Sequence, residues 1–396
     1  MSLMIDDEIE VLLERPAHGG TAVGRHEGQV VFVRLGIPGE RVRARVTQIG
    51  AKQRFVRAEV SEVLEASADR VVPRCPHAVP CGCGGCDWQH VTLERQRSMK
   101  AEIVREQLVR LGGMDVSDPL LTSLIVAPCG DDDGFAYRTR MDFVADARGR
   151  LGLRAARSHD VIPLRSCPLA VDAINASEDL RRPWRADGTV RFAATADGLI
   201  VTPEDDTAPT VHELLGEERL EVSADGFWQV HRNAASVFTT IAREMLAATP
   251  GEFLLDLYGG AGLFARALAP ALGAGGRIVL VESDRRAGRL ARRNLRHLPN
   301  AEVVVARTDH WLAERSLRRV DLVVLDPPRA GAGQSVMREV LRLTPRRVLY
   351  VACDPASLGR DVALAAELGY RVTALRAVDA FPQTAHVETF ALLERA

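Results

Sequence analysis

The second half of the chain alternates apolar runs with helical stretches, and this pattern constrains the fold more than any other feature. Seven runs after residue 252 predict strands: FLLDLYGG, GRIVLVESD, AEVVVAR, VDLVVLDPPR, RRVLYVACDP, YRVTALRAVD and HVETFALLE. Helical stretches separate the first five, which predicts a parallel sheet covered by helices. Only the turn-rich AFPQTA separates the last two, so they predict an antiparallel pair. We expect a doubly wound α/β domain whose last strand is reversed.

Residues 5–65 consist of short apolar-alternating runs divided by glycine and proline turns, which predicts a small β-barrel over residues 1–66. Basic residues at alternate positions of two neighbouring strands share one outer face of this barrel: Arg41, Arg43, Arg45, Lys52, Arg54 and Arg57. Such a face is compatible with RNA binding. It is equally typical of the solvated side of a half-buried sheet.

Between these two parts, residues 67–222 predict a β-rich middle domain. A helix is expected from about Thr92, its N-cap, to Leu111, before Gly112 and Gly113. Irregular strands follow from about 119 to 222. The third domain, 223–396, opens with an amphipathic helix predicted over 229–248.

Composition excludes several classes of protein. The 396 residues are 46% hydrophobic and 26% charged, as in soluble globular proteins of two to four domains. No apolar run reaches the ~18 residues of a membrane span, and the acidic start MSLMIDDEIE is unlike a secretory signal, so we expect a cytoplasmic protein. A net charge of −2 gives no overall argument for nucleic-acid binding, which therefore depends on local patches.

Glycines follow the first strand of the predicted sheet in DLYGGAGLFA, residues 256–265. Glycine lets the chain turn tightly and lets a ligand approach the backbone, as in nucleotide-binding folds. The next strand ends at Glu282, where a carboxylate can accept both hydroxyl groups of a ribose. The sequence has neither a phosphate-binding lysine here nor a complete G-x-G-x-x-G motif. The loop therefore favours S-adenosylmethionine over NAD or ATP.

Three residues that can do chemistry are expected at the same edge of the sheet. Asp326 precedes two prolines, which force an extended backbone and present its carboxylate at that edge. Cys353 ends the fifth strand just before a helix, whose N-terminus can lower the pKa of a thiol. Its place beside the cofactor pocket favours a nucleophile over a packing cysteine. Glu388 lies in the last strand, which inserts beside the fifth; by position alone it could equally be a surface carboxylate.

The seven cysteines are unevenly distributed, since four fall within residues 75–86: Cys75, Cys81, Cys83 and Cys86. The others are isolated at Cys129, Cys167 and Cys353. In a cytoplasmic protein such a cluster more often binds metal or does chemistry than forms disulfides. Zinc is an alternative, but it is typically held by two C-x2-C pairs or by histidines, and only Cys83 and Cys86 form such a pair.

Taken in order, the cysteine cluster, FWQV, DLYGGAG, LDPPR, YVACDP and HVETFALLER resemble the RNA (uracil-5-)-methyltransferase family over nearly the whole chain. The barrel resembles a TRAM domain, an RNA-binding module with the OB fold. The resemblance implies a Rossmann-like seven-stranded methyltransferase domain in which Cys353 is the nucleophile and Glu388 the base. It implies that four residues bind S-adenosylmethionine: Gln229, Tyr258, Glu282 and Asp326. Asp354 departs from the asparagine of many members, which leaves the fine tuning of the site open.

The same resemblance implies a role for the cysteines. Members that carry a [4Fe-4S] cluster hold it with three close cysteines and a remote one, here Cys75, Cys83, Cys86 and Cys167. Cys81 could replace Cys83, although the CGGCDWQH context favours Cys83. We expect the cluster to be structural and Cys129 to be a packing residue. Barrel and cluster together lean toward ribosomal over transfer RNA as the substrate, and nothing indicates an obligate protein partner.

The implied reaction explains these residue types. Carbon 5 of uracil is a poor nucleophile, so a thiolate first adds to carbon 6, and a base later removes the carbon-5 proton. The target base has to leave any stack, and Phe381 and Trp228 are candidate aromatic partners, though more often such residues are core. A second candidate RNA contact is one face of the predicted helix 285–297, unless that face is merely solubilising: Arg285, Arg289, Arg292 and Arg296.

Two alternative functions remain at this point. RNA 5-methylcytidine formation also uses a cysteine adduct, but those enzymes have a proline-cysteine pair near the fourth strand, and Asp326-Pro327-Pro328 has no cysteine beside it. A non-catalytic RNA-binding iron-sulfur protein is the other alternative. The presence of both Cys353 and Glu388 argues against it.

Overall fold

The N-terminal segment closes into a five-stranded barrel, as the sequence predicts, in the order β1-β2-β3-β5-β4. The computed structural model describes residues 3–51, 54–130, 133–315, 317 and 319–396. The barrel strands are β1 (Glu8–Ala17), β2 (Thr21–His26), β3 (Gln29–Arg34), β4 (Arg41–Ile49) and β5 (Val56–Glu65). Alternate valines fill the interior, including the fully buried Val31, Val42 and Val56.

The C-terminal segment builds the doubly wound α/β domain. Its elements are α4 (Ala234–Leu246), β14 (Phe253–Leu257), α5 (Leu263–Leu272), β15 (Arg277–Glu282), α6 (Arg285–Asn294), β16 (Ala301–Val305), α7 (Thr308–Glu314), β17 (Leu322–Leu325), α8 (Gly333–Arg342), β18 (Arg347–Ala352), α9 (Pro355–Glu367), β19 (Tyr370–Asp379) and β20 (Glu388–Arg395). The first five strands are parallel, and β20 inserts antiparallel between β18 and β19. The predicted fold class and the reversed last strand are confirmed.

The middle segment forms a sheet and a hairpin of its own and also contributes one strand to the C-terminal sheet. Its elements are α1 (Leu93–Arg110), α2 (Pro119–Thr122), β6 (Val126–Pro128), β7 (Arg140–Ala145), β8 (Leu151–Arg154), β9 (Val161–Pro163), α3 (Asp172–Ala176), β10 (Thr189–Thr195), β11 (Gly198–Pro203), β12 (Thr210–Leu215) and β13 (Glu218–Ser223). A five-stranded sheet has the order β11-β10-β7-β8-β9, and β12 and β13 form a separate hairpin.

An eighth strand extends the C-terminal sheet beyond the seven predicted. β6 pairs in parallel with β19, where Val126 is opposite Ala377. A strand of three residues has too short a pattern to be recognised in a sequence. Helix α1 packs beside it, since Val104 and Leu108 belong to the same core cluster as Val126. The division at 66/67 and 222/223 stays a prediction, and residues before 223 line part of the C-terminal core.

One predicted helix start is confirmed, though without the expected capping bond, and another differs from the structure. Helix α1 follows Thr92 as predicted, but the Thr92 side chain makes no capping bond, because its hydroxyl donates to Asp69 at 3.0 Å. Helix α4 begins at Ala234 rather than 229. The backbone N–H of Thr139 donates to the carbonyl of Val230 at 2.8 Å, which holds the preceding residues extended against the middle sheet.

Candidate active site and cysteine cavity

The two residues expected to do the chemistry lie opposite each other at the sheet edge. In the antiparallel pair of β18 and β20, Ala352 is opposite Thr389. Cys353 follows Ala352 and Glu388 precedes Thr389, so the register places the thiol across from the carboxylate. Glu388 is only 6% exposed, and Cys353 is half-buried.

Strand order brings the other predicted residues to the same edge. The sheet order here is β15-β14-β17-β18-β20. Glu282 ends β15, and one residue directly follows each of β14, β17 and β18: Tyr258, Asp326 and Cys353. Glu388 begins the antiparallel β20 at the same edge. The parallel register pairs Leu257 with Leu325, so Tyr258 and Asp326 leave neighbouring strands side by side. Five positions spread over more than 130 residues of sequence thus form one row, because parallel strands share a carboxyl edge.

Burial and charge set the protonation of this row. Burial raises the pKa of Cys353 to about 11, and the charges of Glu388 and Asp326 add to the rise while Arg329 opposes it. Burial, helped by Asp326, also raises the pKa of Glu388 well above its ordinary value. The expected lowering of the thiol pKa by the following helix is therefore wrong. Asp354 is the N-cap of α9 and accepts the Ser357 N–H at 2.8 Å, so a carboxylate already occupies the positive end of the helix.

Carboxylates surround the crevice between β14 and β17, where the strand order reverses. Burial raises the pKa of both Asp256 and Asp326 to about 7. Asp256 accepts the Ala265 N–H at 2.9 Å through Oδ2, while its buried Oδ1 has no hydrogen-bond partner within the described part of the chain. Glu282 adds a further nearby negative charge. This arrangement fits S-adenosylmethionine, whose sulfonium and ammonium groups are cations, because a bound cation stabilises clustered carboxylates.

The glycine loop between β14 and α5 is held against Glu282. Tyr258, Gly260 and Gly262 have φ values of 62°, 55° and 95°, and a side chain at Gly260 would meet no atom within 4 Å. The N–H of Gly260 donates to Glu282 Oε2 at 2.9 Å, and the N–H of Asp284 donates to Oε1 at 2.6 Å. Oε1 also accepts the Ser283 hydroxyl at 3.2 Å. Oε2 keeps a second lone pair, so Glu282 can still accept a ribose hydroxyl through Oε2.

Gln229 reaches the same region from the segment between β13 and α4. It is buried, and the preceding Trp228 belongs to an apolar cluster with Ala261 and Leu263 of the glycine loop. Trp228 is therefore a core residue that fixes Gln229 beside the loop. It is not a free aromatic surface for a target base.

Three residues to which the structure draws attention were not singled out from the sequence: Arg329, His386 and Phe227. Arg329, the last residue of LDPPR, lies close enough for its charge to oppose the raised pKa of both Cys353 and Glu388. Its Nη2 is 3.2 Å from Nε2 of His386, whose pKa burial lowers to about 4. Phe227 is 76% exposed, whereas the predicted Phe381 packs edge-on against His386 at 5.9 Å between ring centroids. Arg329 and Phe227 sit inside motifs that the sequence had already singled out.

The barrel contacts the residue next to the expected nucleophile. His18, in the turn between β1 and β2, places Nε2 2.8 Å from Oδ2 of Asp354. Two residues on, the Gly20 carbonyl accepts the Trp88 indole N–H at 3.1 Å. The aspartate that replaces the asparagine of many family members at position 354 is thus in hydrogen-bond contact with the barrel, next to the expected nucleophile.

Four cysteines far apart in sequence line one cavity of about 30 Å³: Cys75, Cys83, Cys86 and Cys167. Apolar side chains complete much of the wall, among them Met141, Leu153 and Leu164. Burial raises the pKa of Cys86 to about 12, and the neighbouring thiols contribute to this rise. Within the described residues, no group of three His, Cys, Asp or Glu side chains is placed to hold a metal ion. Thiolates arranged around a cavity fit a multi-iron cluster, in which each binds a different iron, better than one tetrahedral ion.

Cys81 and Cys129, which belong neither to the cavity nor to the candidate active site, differ from these four. Cys81 does not line the cavity; it is exposed, and its sulfur lies 3.9 Å from Glu59 Oε2 and accepts from Arg45 at 3.6 Å. Cys129 is 2% exposed within the core cluster that contains Phe238 and Phe390.

Comparison with known proteins decides the family. The profile described as tRNA (uracil-5-)-methyltransferase matches residues 218–396, and the TRAM domain profile matches residues 3–61. An uncharacterized RNA methyltransferase of Streptomyces coelicolor is 40% identical, over 99% of this chain and 94% of its own length. The chain belongs to the RNA (uracil-5-)-methyltransferase family. It is an S-adenosylmethionine-dependent RNA methyltransferase of the uracil-5 type.

Another relative agrees with this assignment, and a solved structure shares the fold. An uncharacterized RNA methyltransferase of Bifidobacterium longum is 35% identical over 98% of this chain and 97% of its own length. The crystal structure of the Pyrococcus abyssi tRNA (uracil-54, C5)-methyltransferase with S-adenosyl-L-homocysteine shares the fold, with a TM-score of 0.70 and 21% identity over 97% of this chain and 100% of that one. No described helix of this methyltransferase is long and apolar enough to cross a membrane.

The arginine face predicted on the barrel of this methyltransferase is largely neutralised. Strand pairing sets Arg41 against Glu65 at 3.0 Å and Arg43 against both Glu62 and Glu10. Arg45 pairs with Asp6, just before β1, at 3.5 Å. The interpretation as a solvated ion-paired face is therefore the better one for these three arginines. Lys52, predicted for the same face, lies outside the described residues.

A different face of the barrel combines arginine with aromatic rings. The Arg57 guanidinium lies 5.7 Å from the Phe32 ring centroid and 5.6 Å from that of Phe55. Arg157, in the turn between β8 and β9, is exposed, and nearby Arg57 and Arg34 contribute to lowering its pKa after burial. Arg34 is itself paired with Glu59 at 2.8 Å, and Glu59 opposes the lowering of the Arg157 pKa. Arg57 and Arg157 are therefore the arginines of this face that we expect to meet a polyanion.

The arginines of α6 are divided between pairing and exposure. Arg296 lies 3.7 Å from Glu221, and the Arg292 guanidinium donates to the Val303 carbonyl at 3.2 Å. Arg285 and Arg289, which belong to the same predicted face, stay exposed. Arg292 and Arg296 are exposed as well, so the whole face can meet a polyanion, although these two arginines also contact the protein.

Proposed function

We propose that this methyltransferase makes 5-methyluridine through a covalent bond between the Cys353 sulfur and carbon 6 of a target uracil. The observation that carries the proposal is the pairing of Cys353 with Glu388 across β18 and β20, beside Asp326. Cys353 first loses its thiol proton to solvent. The thiolate then adds to carbon 6 and moves electrons to carbon 5, which takes the methyl group that S-adenosylmethionine supplies. Glu388 accepts the carbon-5 proton, the C–H electrons restore the ring double bond, and sulfur departs with the C–S pair.

The same proposal assigns Gln229, Tyr258, Glu282 and Asp326 to S-adenosylmethionine. The hydrogen bonds that hold Glu282 against the glycine loop support a ribose contact, and the buried acids of the β14/β17 crevice support a cationic ligand. A cation bound beside Asp326 also lowers the pKa of Cys353, because it offsets the negative charge that raised it. Without such a cation, the raised pKa keeps the thiol of Cys353 protonated near neutral pH.

Trapping the adduct tests the nucleophile directly. A short RNA with 5-fluorouridine has no carbon-5 proton, so methyl transfer leaves the enzyme covalently attached. We expect a protein-RNA band that survives denaturation with wild type and is absent with Cys353→Ala. Cys81→Ser, an exposed cysteine outside the cavity, is the matched control and keeps the band. If Cys353→Ala retains the band, or if methyl label appears on cytosine or on a nitrogen, the proposed chemistry is wrong.

We further propose that Cys75, Cys83, Cys86 and Cys167 hold a structural [4Fe-4S] cluster. The support is that these four thiols share one largely apolar cavity, while Cys81 does not line it. Iron and sulfide analysis of anaerobically purified protein is expected to give about four of each per chain, falling in Cys83→Ser but not in Cys81→Ser. One zinc per chain and no sulfide would contradict the assignment.

Ribosomal RNA is the proposed substrate, on the basis of the barrel together with the cysteine set. Unmodified ribosomal and transfer RNA are incubated separately with the enzyme and methyl-labelled S-adenosylmethionine, and nucleosides are identified by mass spectrometry. We expect 5-methyluridine in ribosomal RNA. If the label were confined to transfer RNA, transfer RNA would be the substrate instead of ribosomal RNA, and the proposed reaction would stay the same.

A further inference from the structure

The loop that leads into Glu388 is held by residues of the middle segment, which precede residue 223. This base loop, residues 380–387 between β19 and β20, contains Gln383, which is 3% exposed and has a φ of 69°. Gln96 of α1 exchanges two hydrogen bonds with it: Gln383 N–H donates to Gln96 Oε1 at 2.8 Å, and Gln96 Nε2 donates to Gln383 Oε1 at 2.9 Å. A strained backbone persists only where its surroundings fix it, and here they do so from 287 residues away in sequence.

Asp87 makes the second attachment, directly after the proposed cluster ligand Cys86. Its Oδ2 accepts the Ala385 N–H at 3.0 Å, three residues before Glu388. The backbone N–H groups of Asp87 and Trp88 both donate to the Gln383 carbonyl at 3.0 Å. Three hydrogen bonds thus join the 87–88 segment to the base loop, and one of them is to a carboxylate, which makes it stronger than a neutral bond.

The rest of the base loop is fixed by the same middle segment. Lys100 and Asp379 form a fully buried ion pair where the loop begins, and Lys100 Nζ also donates to the Phe381 carbonyl at 3.0 Å. The Tyr137 hydroxyl donates to the Pro382 carbonyl at 3.1 Å. Of these anchors, only Asp87 is next to a cysteine of the cavity, and Gln89 links that stretch further through bonds to Cys75 and Cys86.

We propose that Asp87 is a positioning residue for Glu388, and that ligation of Cys86 sets the position of Asp87. The inference rests on the proposed function of Glu388 as the base. A thiolate held in a cluster fixes the backbone that leads into Asp87, and Asp87 in turn fixes Ala385. Methyl transfer needs Cys353, which directly follows β18, whereas only the later loss of the carbon-5 proton needs Glu388. A displaced base loop therefore slows release of the methylated adduct and spares its formation.

The amount of methylated protein-RNA adduct that accumulates on ordinary uridine RNA is the measurement. General destabilisation of the protein would not raise this amount. We expect Asp87→Ala to accumulate methylated protein-RNA adduct, with release slowed about tenfold, as Glu388→Gln does more strongly. Asp87→Asn keeps an oxygen acceptor for the Ala385 N–H and restores release. Asp69→Ala, which removes a carboxylate bound to Thr92 instead, is the matched control and releases product normally. Normal release by a folded Asp87→Ala overturns the positioning role.

Hydrogen-deuterium exchange of the base loop tests, independently of turnover, whether ligation of Cys86 sets the position of Asp87. We expect peptides covering 380–387 to lose protection in Asp87→Ala and in Cys86→Ser, and to keep it in Cys81→Ser. Unchanged protection in Cys86→Ser overturns the link to the cysteine cavity. If Glu388→Gln itself accumulates no adduct, the proposed function fails, and exchange alone then decides whether Asp87 holds the loop.

Discussion

At the scale of single residues, the candidate active site gathers buried acids around the thiol of Cys353. Asp326 raises the pKa of both Cys353 and Glu388, while Arg329 opposes both shifts. The raised values come mainly from burial, which disfavours every charged form in the crevice. The reactivity of the thiol is therefore a property of its neighbours and of the charges that ligands bring.

Alkylation of Cys353 in protein without cofactor is expected to keep rising about tenfold per pH unit up to pH 10, because the thiolate reacts and the thiol pKa is about 11. Asp326→Asn removes a negative charge, so the thiol pKa falls and alkylation at pH 8 becomes faster. Glu302→Gln, on the edge strand β16, serves as the control. Peptide mass spectrometry follows Cys353 alone. A wild-type rate that levels off near pH 9 would show that the thiol is not perturbed.

Asp354 gives a prediction about how the stability of the protein changes at acidic pH. Burial alone would raise its pKa, but hydrogen bonds from His18 and Ser357 outweigh this and lower the pKa to about 2 from 3.8. A lowered carboxyl pKa stabilises the fold fully above the ordinary value, and this contribution is lost as the pH falls through the folded value. We expect the difference in unfolding free energy between wild type and Asp354→Asn to be constant above pH 4 and to shrink toward pH 2.

Urea unfolding across this pH range measures that difference. Asparagine keeps the N-cap of α9, so the comparison isolates the charge. In a His18→Gln background the difference between pH 4 and pH 2 is expected to be smaller, because one of the stabilising bonds is gone. A difference that persists unchanged to pH 2 is the contrary result.

At the scale of elements, strand pairing decides which arginines of the barrel can meet RNA. β4 lies between β1 and β5, so Arg43 is flanked by Glu10 on one side and Glu62 on the other. On the outer face of β3 and β5, Arg57 instead lies against Phe32 and Phe55. Single-stranded RNA binds surfaces that combine positive charge with aromatic faces.

Arg57→Ala is expected to weaken RNA binding about three- to tenfold and to reduce its salt dependence, since a phosphate contact is lost. Arg43→Ala removes an arginine that is already paired and leaves RNA affinity within about twofold. Titration of labelled RNA at two salt concentrations compares both variants with wild type. Equal losses from the two substitutions would mean that the ion-paired face also contacts RNA.

At the scale of the whole molecule, the middle segment supplies one wall of the C-terminal core. Helix α1 approaches α9 so closely that a Cβ at Gly359 would lie 2.8 Å from the Gln107 carbonyl oxygen. Val104, Leu108 and Val126 bury their side chains in the same cluster as Leu358 and Val362. The protein therefore depends on contacts that cross the predicted boundary at 222.

Residues 223–396 expressed alone are expected to show no cooperative unfolding transition, because removing α1 and β6 exposes this wall. The segment 67–396 keeps both elements and is expected to unfold cooperatively. Circular dichroism during urea titration distinguishes the two. A sharp transition for 223–396 would mean that the sheet and its remaining helices suffice.

Sequence alone determined the alternation of strands and helices, the reversed last strand and the position of Cys353, Glu388, Glu282 and Asp326 at one edge. These follow from local patterns, since periodicity defines each element and glycine or proline marks where it ends. The family motifs supported the same assignment. Arg329 and Phe227 could also have been found, because they belong to those motifs.

Only the tertiary structure decided what depends on partners distant in sequence. The ion pairs of Arg41, Arg43 and Arg45, the addition of β6 to the sheet and the hold of Asp87 on Ala385 join positions whose separation no local period reveals. The pKa of Cys353 also belongs to this class. Burial and neighbouring charge act through space, so a sequence names the groups while the fold sets their distances.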